Sequence, residues 1–286
     1  SNMLTSAGLD DIFIVRLDIN GNVVWAKRFG GSGYDAANDI ASDTNGNLFV
    51  TGSFRGIVDF GGTSLTNNDA FYDDLFIARY DNAGSLVWVR GEGEGFFDDV
   101  GYTVAIDSAT NVYVGGSSTI GTFGGTTLTN DGRILLAKYD SAGSRGWARK
   151  AGASGSALDE ATGVAVDSAG NIFLTATFQS STITSAGTVL TNRGFSDGFA
   201  AKFNASGDQL WIRQVGSLGV DRVLGVASVG TNAVIVGQFS GTNDFGGNTL
   251  VSDGGTLGDG FVVNIDGAGN VIWARRLGGS GSDAVL

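Results

Sequence analysis

The chain contains no cysteine, no histidine and no proline. Without cysteine it can form neither a disulfide nor a thiolate metal site. The absence of cysteine fits a protein of a reducing compartment as well as an exported one. Without histidine it lacks the commonest general base and the commonest metal ligand. A Ser–His triad is therefore excluded, and carboxylates are nearly the only candidates for acid–base chemistry. We expect no metal site and no cofactor.

Basic residues are few and scattered. The sequence has 17 Lys and Arg against 29 Asp and Glu, a net charge of −12, and the basic residues fall singly or in pairs inside strand-like runs instead of clustering. This distribution argues against binding nucleic acid or an anionic membrane. No apolar run reaches the roughly 18 residues that span a membrane, and no signal peptide is recognisable. We interpret Ser1 to Met3 as a tag remnant, which is compatible with an export signal removed from this chain.

Glycine is abundant, at 48 of 286 residues, without a collagen-like triplet pattern. The usual share is about 7%, so the excess indicates many tight turns and close backbone approaches. Hydrophobic residues make up 42% of the chain, enough for a sizeable core. The composition favours many short strands.

One unit recurs five times and is clearest in Leu75 to Arg90, LFIARYDNAGSLVWVR. Each copy ends in Trp, any residue, then Lys or Arg. The tryptophans are Trp25, Trp88, Trp147, Trp211 and Trp273. Their spacing of about 62 residues predicts a repeat architecture. Because they occupy the same strand position five times, packing between repeats is favoured over a sugar-stacking platform, which is the alternative.

A second recurring element is a turn of Asp, two small or polar residues, Gly, and then usually Asn or Ser. It occurs at Asp18 to Asn22, Asp43 to Asn47, Asp81 to Ser85, Asp140 to Ser144, Asp167 to Asn171 and Asp266 to Asn270. Asp can accept hydrogen bonds from the turn amides, and Gly supplies the positive φ of a type I turn with a G1 bulge. A calcium loop is the alternative, but the bidentate Glu at the twelfth position is missing. The turns predict hairpins.

The runs beside these turns are apolar on both faces, which is typical of sheets covered on both sides. Each period supplies four strands and a glycine-rich link of the FGGT type. These links start at Phe60, Phe123, Ser185 and Phe245. Residues 4–286 are therefore predicted to form one all-β domain, a β-propeller of about five four-stranded repeats, with a linear solenoid as the alternative. No stretch shows a sustained 3.6-residue period, so almost no helix is expected.

The last repeat is expected to be incomplete. Five hairpins carry a tryptophan, but only four are of the type that begins at Gly163 with GVAVDS. We therefore expect one blade to lack its inner strands, so that the chain does not close a ring. An exposed sheet edge of this kind is a pairing site. Further repeats or self-association through the incomplete blade would cover it.

The pattern GVAVDSAGNIFLT from Gly163, followed by GFAAKFNASGDQLW from Gly198 and GGSGSD from Gly278, resembles the bacterial β-propeller repeat family SBBP, which is similar to NHL repeats. The resemblance covers nearly the whole chain. It implies a propeller fold and an exported or cell-surface bacterial protein that binds or adheres to an unknown protein or glycan. It implies no particular chemistry.

The basic residue after each tryptophan is followed at nearly fixed distance by an Asp. The pairs are Lys27 and Asp35, Arg90 and Asp98, Arg149 and Asp159, Arg213 and Asp221, and Arg275 and Asp283. We predict structural ion pairs that join an outer strand to the next blade. Five copies of a ligand site are the alternative.

The repeat is broken at Gly91 to Asp99, GEGEGFFDD. This segment gives five candidate residues for binding a ligand or partner: Glu92, Glu94, Phe96, Phe97 and Asp99. The alternative is that one ring only plugs the neighbouring blade. We expect a non-catalytic module that binds through the variable face opposite the hairpin turns. A carbohydrate hydrolase or lyase would need Glu160 to meet Glu92 or Glu94, and a structural spacer is the third hypothesis.

Overall fold

The computed structural model describes residues 3–67, 69, 71–93, 97–128, 132–153, 158–253, 258–281 and 283. Every regular element in these ranges is a β-strand, as the absence of a helical period predicts. Consequently the described chain has no helix that could cross a membrane.

The strands follow one another with short connections. In chain order they are β1 (Ile12–Leu17), β2 (Val23–Gly31), β3 (Asp35–Ser42), β4 (Leu48–Phe54), β5 (Ile57–Asp59), β6 (Ser64–Thr66), β7 (Asp74–Tyr80), β8 (Leu86–Glu92), β9 (Val100–Ile106), β10 (Val112–Ser117), β11 (Thr122–Phe123), β12 (Thr126–Thr127), β13 (Ile134–Tyr139), β14 (Arg145–Ala151), β15 (Glu160–Val166), β16 (Ile172–Phe178), β17 (Thr182–Ser185), β18 (Thr188–Thr191), β19 (Asp197–Phe203), β20 (Gln209–Val215), β21 (Arg222–Val229), β22 (Asn232–Phe239), β23 (Thr242–Phe245), β24 (Asn248–Val251), β25 (Asp259–Ile265) and β26 (Val271–Leu277).

The long strands form antiparallel sheets that we call blades 1 to 5. Blade 2 has the strand order β3-β4-β7-β8, blade 3 β9-β10-β13-β14, blade 4 β15-β16-β19-β20 and blade 5 β21-β22-β25-β26. Within the described residues blade 1 has the two long strands β1 and β2, extended by the short strands β5 and β6. The long strands β1 and β2 correspond to the outer two of every other blade, so the incomplete repeat lies at blade 1.

Successive blades pack face to face around their innermost strands. The Val104 N–H donates to the Asp39 carboxylate and the Val164 N–H to the Thr103 hydroxyl, which joins three neighbouring inner strands. Four hydrophobic clusters fill the four junctions between consecutive blades. This radial stacking of four-stranded sheets confirms the predicted propeller-like all-β fold.

The glycine-rich links differ from the prediction, because each folds into a small hairpin of its own. The hairpins are β5–β6, β11–β12, β17–β18 and β23–β24. Adjacent glycines at positive φ, such as Gly61 and Gly62, make the turn possible. In blade 4 Ala186 takes the first of these places, at φ 45°.

The link hairpins also connect blades along the rim. Strand β5 pairs with β2 of blade 1 through Gly30 opposite Asp59. Gly152, just after β14, bridges to Thr184 in β17. The links therefore occupy the widening gap between outer strands, which is where a radial arrangement leaves space.

The Asp–Gly turns have the predicted geometry. In the turn Asp18 to Asn22 the Gly21 N–H donates to the Asp18 carbonyl at 3.0 Å, and the Asp18 carboxylate accepts from the Asn20 and Asn22 amides at 2.8 Å. The register of β1 and β2 shifts by one residue beside the turn, as a G1 bulge requires. The backbone bonds recur in the other five turns.

Thr110 occupies the glycine position of one such turn and is held at φ 59°. Positive φ is unfavourable for a β-branched residue by about 1 kcal/mol or more. We therefore expect Thr110→Gly to raise the free energy of unfolding by about 1 kcal/mol, measured by denaturant titration. The substitution Gly170→Thr in the equivalent turn should lower it by a similar amount. Unchanged or reversed effects would contradict this explanation.

Candidate functional site

The five equivalent tryptophans lie at blade junctions or on the outer face of blade 5. The indole Nε1–H of Trp88 in blade 2 donates to the Ser141 carbonyl in the turn of blade 3, at 3.1 Å. Trp25, Trp147 and Trp211 make the same bond to the next blade. Each of these four indoles packs against a hydrophobic core cluster and donates to the next blade, so four of the tryptophans have structural roles.

The basic residues reinforce this junction instead of forming the predicted ion pairs. Arg90 Nε donates to the Gly143 carbonyl at 2.8 Å, and a guanidinium nitrogen of Arg79 donates to Ser141 O, also at 2.8 Å. Lys27, Arg149 and Arg213 donate to the equivalent glycine carbonyls. We call the Trp and basic side chains, together with the turn of the next blade, a latch. The carbonyls of a tight turn point outward and need donors, which explains the choice of partner.

The aspartates of the predicted pairs have a different task, so that prediction is wrong for both partners. Asp221 is buried and accepts from the Ser217 and Ser240 amides at 2.7 and 3.0 Å and from the Asn243 side chain. Asp35 and Asp159 likewise accept from backbone amides near the start of an inner strand, and Asp283 accepts from the Gly279 amide. Each binds the backbone of the loop or link beside that strand.

In blade 3 this buried position belongs to Asp99 and not to Asp98. Asp99 is buried and accepts from the Thr119 amide at 2.5 Å, while Asp98 accepts from the Asp73 amide. The irregular segment before Asp99 shifts the spacing, which is why counting eight residues from Arg90 selected Asp98. The candidate Asp99 is thus a structural residue.

The segment GEGEGFFDD contributes one exposed candidate within the described residues. Glu92 is buried, with Arg145 at 2.6 Å and the Tyr139 hydroxyl at 3.2 Å, and burial raises its pKa against the lowering effect of Arg145. The Phe97 ring is half exposed and lies 6.3 Å from the Tyr72 ring. The Arg133 guanidinium stands 5.3 Å over it. The candidates Glu94 and Phe96 lie outside the described residues.

The carboxylates required by the hydrolase or lyase hypothesis are on different strands. Glu92 ends β8, the outermost strand of blade 2, whereas Glu160 begins β15, the innermost strand of blade 4. Burial raises the pKa of Glu160, whose carboxylate has the Tyr102 hydroxyl as a partner. No group of three acidic residues in the described chain could hold a metal ion. The structure brings no pair of described glutamates together.

Exposed aromatic side chains concentrate on the edge opposite the Asp–Gly turns, which we call the loop face. It comprises residues 32–34, 71–73, 97–102, 192–196 and 216–220. Among the described residues the exposed aromatics are Phe13, Tyr34, Phe71, Phe97, Tyr102 and Phe195, and all but Phe13 are on this face. The Phe195 amide donates to the Gly219 carbonyl at 2.7 Å, which places Phe195 beside the exposed Leu218. Sequence analysis missed Phe71 and Phe195, although Phe71 sits in the polar stretch NNDAFYDD and Phe195 in the glycine-containing stretch NRGFSDG, both of which predict a loop.

The rim has a groove of about 850 Å³ between the outer strand of blade 3 and the link hairpins of blades 3 and 4. Its basic side chains already have partners. Arg149 donates to the carbonyls of Gly207 and Ser206, and Lys150 to that of Ile120. The loop face is therefore the stronger candidate for a binding surface.

Asp74 should make stability depend on pH. Burial first, and then the nearby charges of Asp99, Asp69 and Asp73, raise its pKa to about 6. A raised carboxyl pKa stabilises the fold below the unfolded value near 3.8, and this contribution is lost as pH rises through about 6. Asp74→Asn mimics the neutral acid. We expect it to raise the free energy of unfolding by about 1–2 kcal/mol at pH 7.5 and to leave it nearly unchanged at pH 4, in denaturant titrations. Equal effects at both pH values would contradict the assignment.

Comparison with known proteins agrees with this architecture. Residues 24–53 match the model of the SBBP beta-propeller repeat. This stretch is similar to one SBBP repeat. The matched segment runs from β2 of blade 1, through the buried Asp35, to the end of β4 in blade 2. The SBBP match thus spans a blade junction and confirms the resemblance inferred from the sequence.

One curated protein and one solved structure are also similar to this chain. The chain is 25% identical over 235 residues to an uncharacterized WD repeat-containing protein of Acanthamoeba polyphaga mimivirus. That alignment covers 69% of this chain and 17% of the relative, so the chain spans a small part of that protein. A crystal structure of a protein of unknown function from Bacteroides caccae aligns over 98% of this chain and 96% of its own, with 12% identity and a TM-score of 0.44.

Proposed function

We propose that this SBBP-repeat chain is a non-catalytic interaction module that binds a protein partner through its loop face. The observation that carries the proposal is the concentration of exposed aromatic side chains on that one face. Apolar side chains clustered on a surface mark interaction sites, and Phe and Tyr are enriched in protein interfaces.

The loop face offers two apolar patches. The first consists of Phe71, Tyr72 and Phe97 with Arg133, and combines exposed rings with a guanidinium stacked on one of them. The second consists of Phe195 and Leu218, both among the most exposed large apolar side chains of the described chain. Aromatic residues and arginine are the side chains that most often dominate binding energy in interfaces.

A protein partner suits these patches better than a glycan. Phe71, Phe195 and Leu218 have no polar atoms in their side chains, whereas sugar recognition combines ring stacking with hydrogen bonds. Four of the five tryptophans, the best stacking residues for a sugar, are held in latches. The exported or cell-surface location implied by the SBBP resemblance stays a prediction.

The test selects peptides from a displayed library on the immobilised chain and measures their affinity for single variants. Phe71→Ser, Phe195→Ser and Leu218→Ser probe the two patches. Ile57→Ser and Val189→Ser are matched controls, because both residues are exposed on link hairpins at the rim. We expect at least one loop-face variant to weaken binding about tenfold or more, and the controls to leave it unchanged. Loss of binding only in the rim variants would refute the assignment.

A glycan array probed in parallel separates the runner-up hypothesis. Binding to glycans that survives Phe195→Ser and Leu218→Ser, with no peptide selected, would replace the proposed protein partner by a carbohydrate at another site. Cleavage of an arrayed glycan would instead support the hydrolase or lyase hypothesis. The proposal predicts neither result.

A further inference from the structure

Blade 1 exposes three side chains whose counterparts in every other blade are buried. Phe13 is 68% exposed, while the equivalent Phe199 and Phe261 are 0% exposed. Val15 and Leu17 are 40% and 54% exposed. Their counterparts, Ala78, Ala137, Ala201 and Val263 for Val15 and Tyr80, Tyr139, Phe203 and Ile265 for Leu17, are all buried. In blades 2 to 5 these positions pack against the preceding blade, whereas the described residues place no blade on this junction face of blade 1. We call it the entry face.

The turn of blade 1 has the acceptor part of a latch, but no tryptophan among the described residues packs against it. A Cβ on the glycine of the equivalent turns in blades 2 to 5 would meet the tryptophan of the preceding blade, as Gly143 meets Trp88 at 2.6 Å. A Cβ on Gly21 would have nothing within 4 Å. The acceptor carbonyls of this turn therefore face open space on the side from which a tryptophan would approach.

Blade 5 carries the complementary donor half. Trp273 and Arg275 continue the Trp-x-basic pattern, and Arg275 is exposed with one bond, to the carbonyl of the adjacent Ala274. Among the described residues no acceptor is bonded to the Trp273 indole N–H. Val234 is only half buried, although its counterparts Phe49, Tyr113 and Phe173 are buried under the following blade. We call this surface the exit face.

We propose that one copy of the chain binds a second copy head to tail, the exit face of one against the entry face of the other. The contact repeats the four junctions already present inside the chain. Trp273 and Arg275 would donate to the turn carbonyls of the partner copy's blade 1, and the apolar entry face would cover the valines of blade 5. The charges agree, because the Arg275 guanidinium meets a turn that carries the Asp18 carboxylate.

The interface would be weaker than an internal junction. Asn264 stands where Arg16, Arg79 and Lys138 supply a third donor to the latch. The described part of the chain also gives blade 1 no inner strands, which reduces the covered area. A heterologous contact of this kind joins unlike surfaces and extends to chains of copies unless it closes. We therefore expect association that depends on concentration. This proposal does not depend on the function of the loop face.

The experiment is sedimentation equilibrium on the full chain across about 1 µM to 1 mM. The average mass should rise above the 29.2 kDa of the chain. Phe13→Asp disables the entry face and Arg275→Glu the exit face, so each variant alone should remain monomeric. An equimolar mixture of the two should form dimers and nothing larger, because each copy then has one working face.

Both substitutions replace exposed side chains, and circular dichroism verifies that the variants are folded. Ile57→Asp, on an exposed link hairpin, is the control and should associate as the unsubstituted chain does. A chain that stays monomeric throughout the range, whether through closure onto itself or lack of contact, would overturn the proposal. A mixture of the two variants that stays monomeric, or a single variant that associates normally, would overturn it as well.

Discussion

Gly143→Ala is expected to lower the free energy of unfolding by about 3 kcal/mol. Its φ of 76° disfavours any side chain, by about 1 kcal/mol. The added Cβ would also lie 2.6 Å from the Trp88 ring, so the indole must move. This movement disrupts the bonds from Trp88 and Arg90 to the turn, and each net hydrogen bond contributes about 1 kcal/mol. Denaturant titration at equilibrium measures the difference.

The matched control is Gly21→Ala, in the same turn of blade 1. Gly21 has a φ of 81° but no neighbour within 4 Å of the added Cβ, so only the backbone contribution of about 1 kcal/mol is expected. The comparison is made at concentrations where the chain is monomeric. Equal losses for both variants would show that the tryptophan does not couple blade 2 to blade 3.

Asp221→Ala is expected to destabilise the chain by about 4 kcal/mol. The substitution leaves the partly buried Ser217 amide, the buried Ser240 amide and the buried Asn243 side chain without their acceptor. An unsatisfied buried donor is unfavourable by about 1–3 kcal/mol. Burial raises the pKa of Asp221 because desolvation disfavours its charged carboxylate. The hydrogen bonds from the surrounding donors offset part of this unfavourable desolvation.

Asp244→Ala is the control for this variant, since Asp244 is exposed and accepts from the Gly247 amide in a link turn. Water can replace that acceptor, so a loss below about 1 kcal/mol is expected. If Asp221→Ala also lowers the free energy of unfolding by less than about 1 kcal/mol, the buried aspartates do not stabilise the attachment of the loops and links to the inner strands.

The fold was predictable because its signals are local. The Asp–Gly turns and the two-sided apolar runs each follow from the chemistry of a few adjacent residues, and the tryptophans repeat these local units at a regular period. The link hairpins also had a local signal, the adjacent glycines in FGGT, which is typical of a two-residue hairpin turn. The same turn with Ala186 in place of the first glycine weakened that signal.

The contacts between blades were not predictable in the same way. Arg90 and Asp98 have opposite charges and a regular spacing, which suggested an ion pair. Arg90 instead donates to the Gly143 carbonyl, and Asp98 accepts from the Asp73 amide. Every residue of this chain has a backbone carbonyl and amide, so the sequence does not indicate which of them will be the partner. The sequence also did not indicate which of the candidate residues are buried. In the structure Phe97 is exposed, whereas Glu92 and Asp99 are buried and inaccessible to a partner.

The latch is the central claim, and the exchange rates of the five indole N–H protons test it most directly. Nitrogen-15 NMR resolves these protons, and single Trp→Phe variants assign them. In the dilute monomer we predict slow exchange for Trp25, Trp88, Trp147 and Trp211, whose indoles donate to the next blade, and fast exchange for Trp273. Five protons that exchange at the same rate would contradict the account.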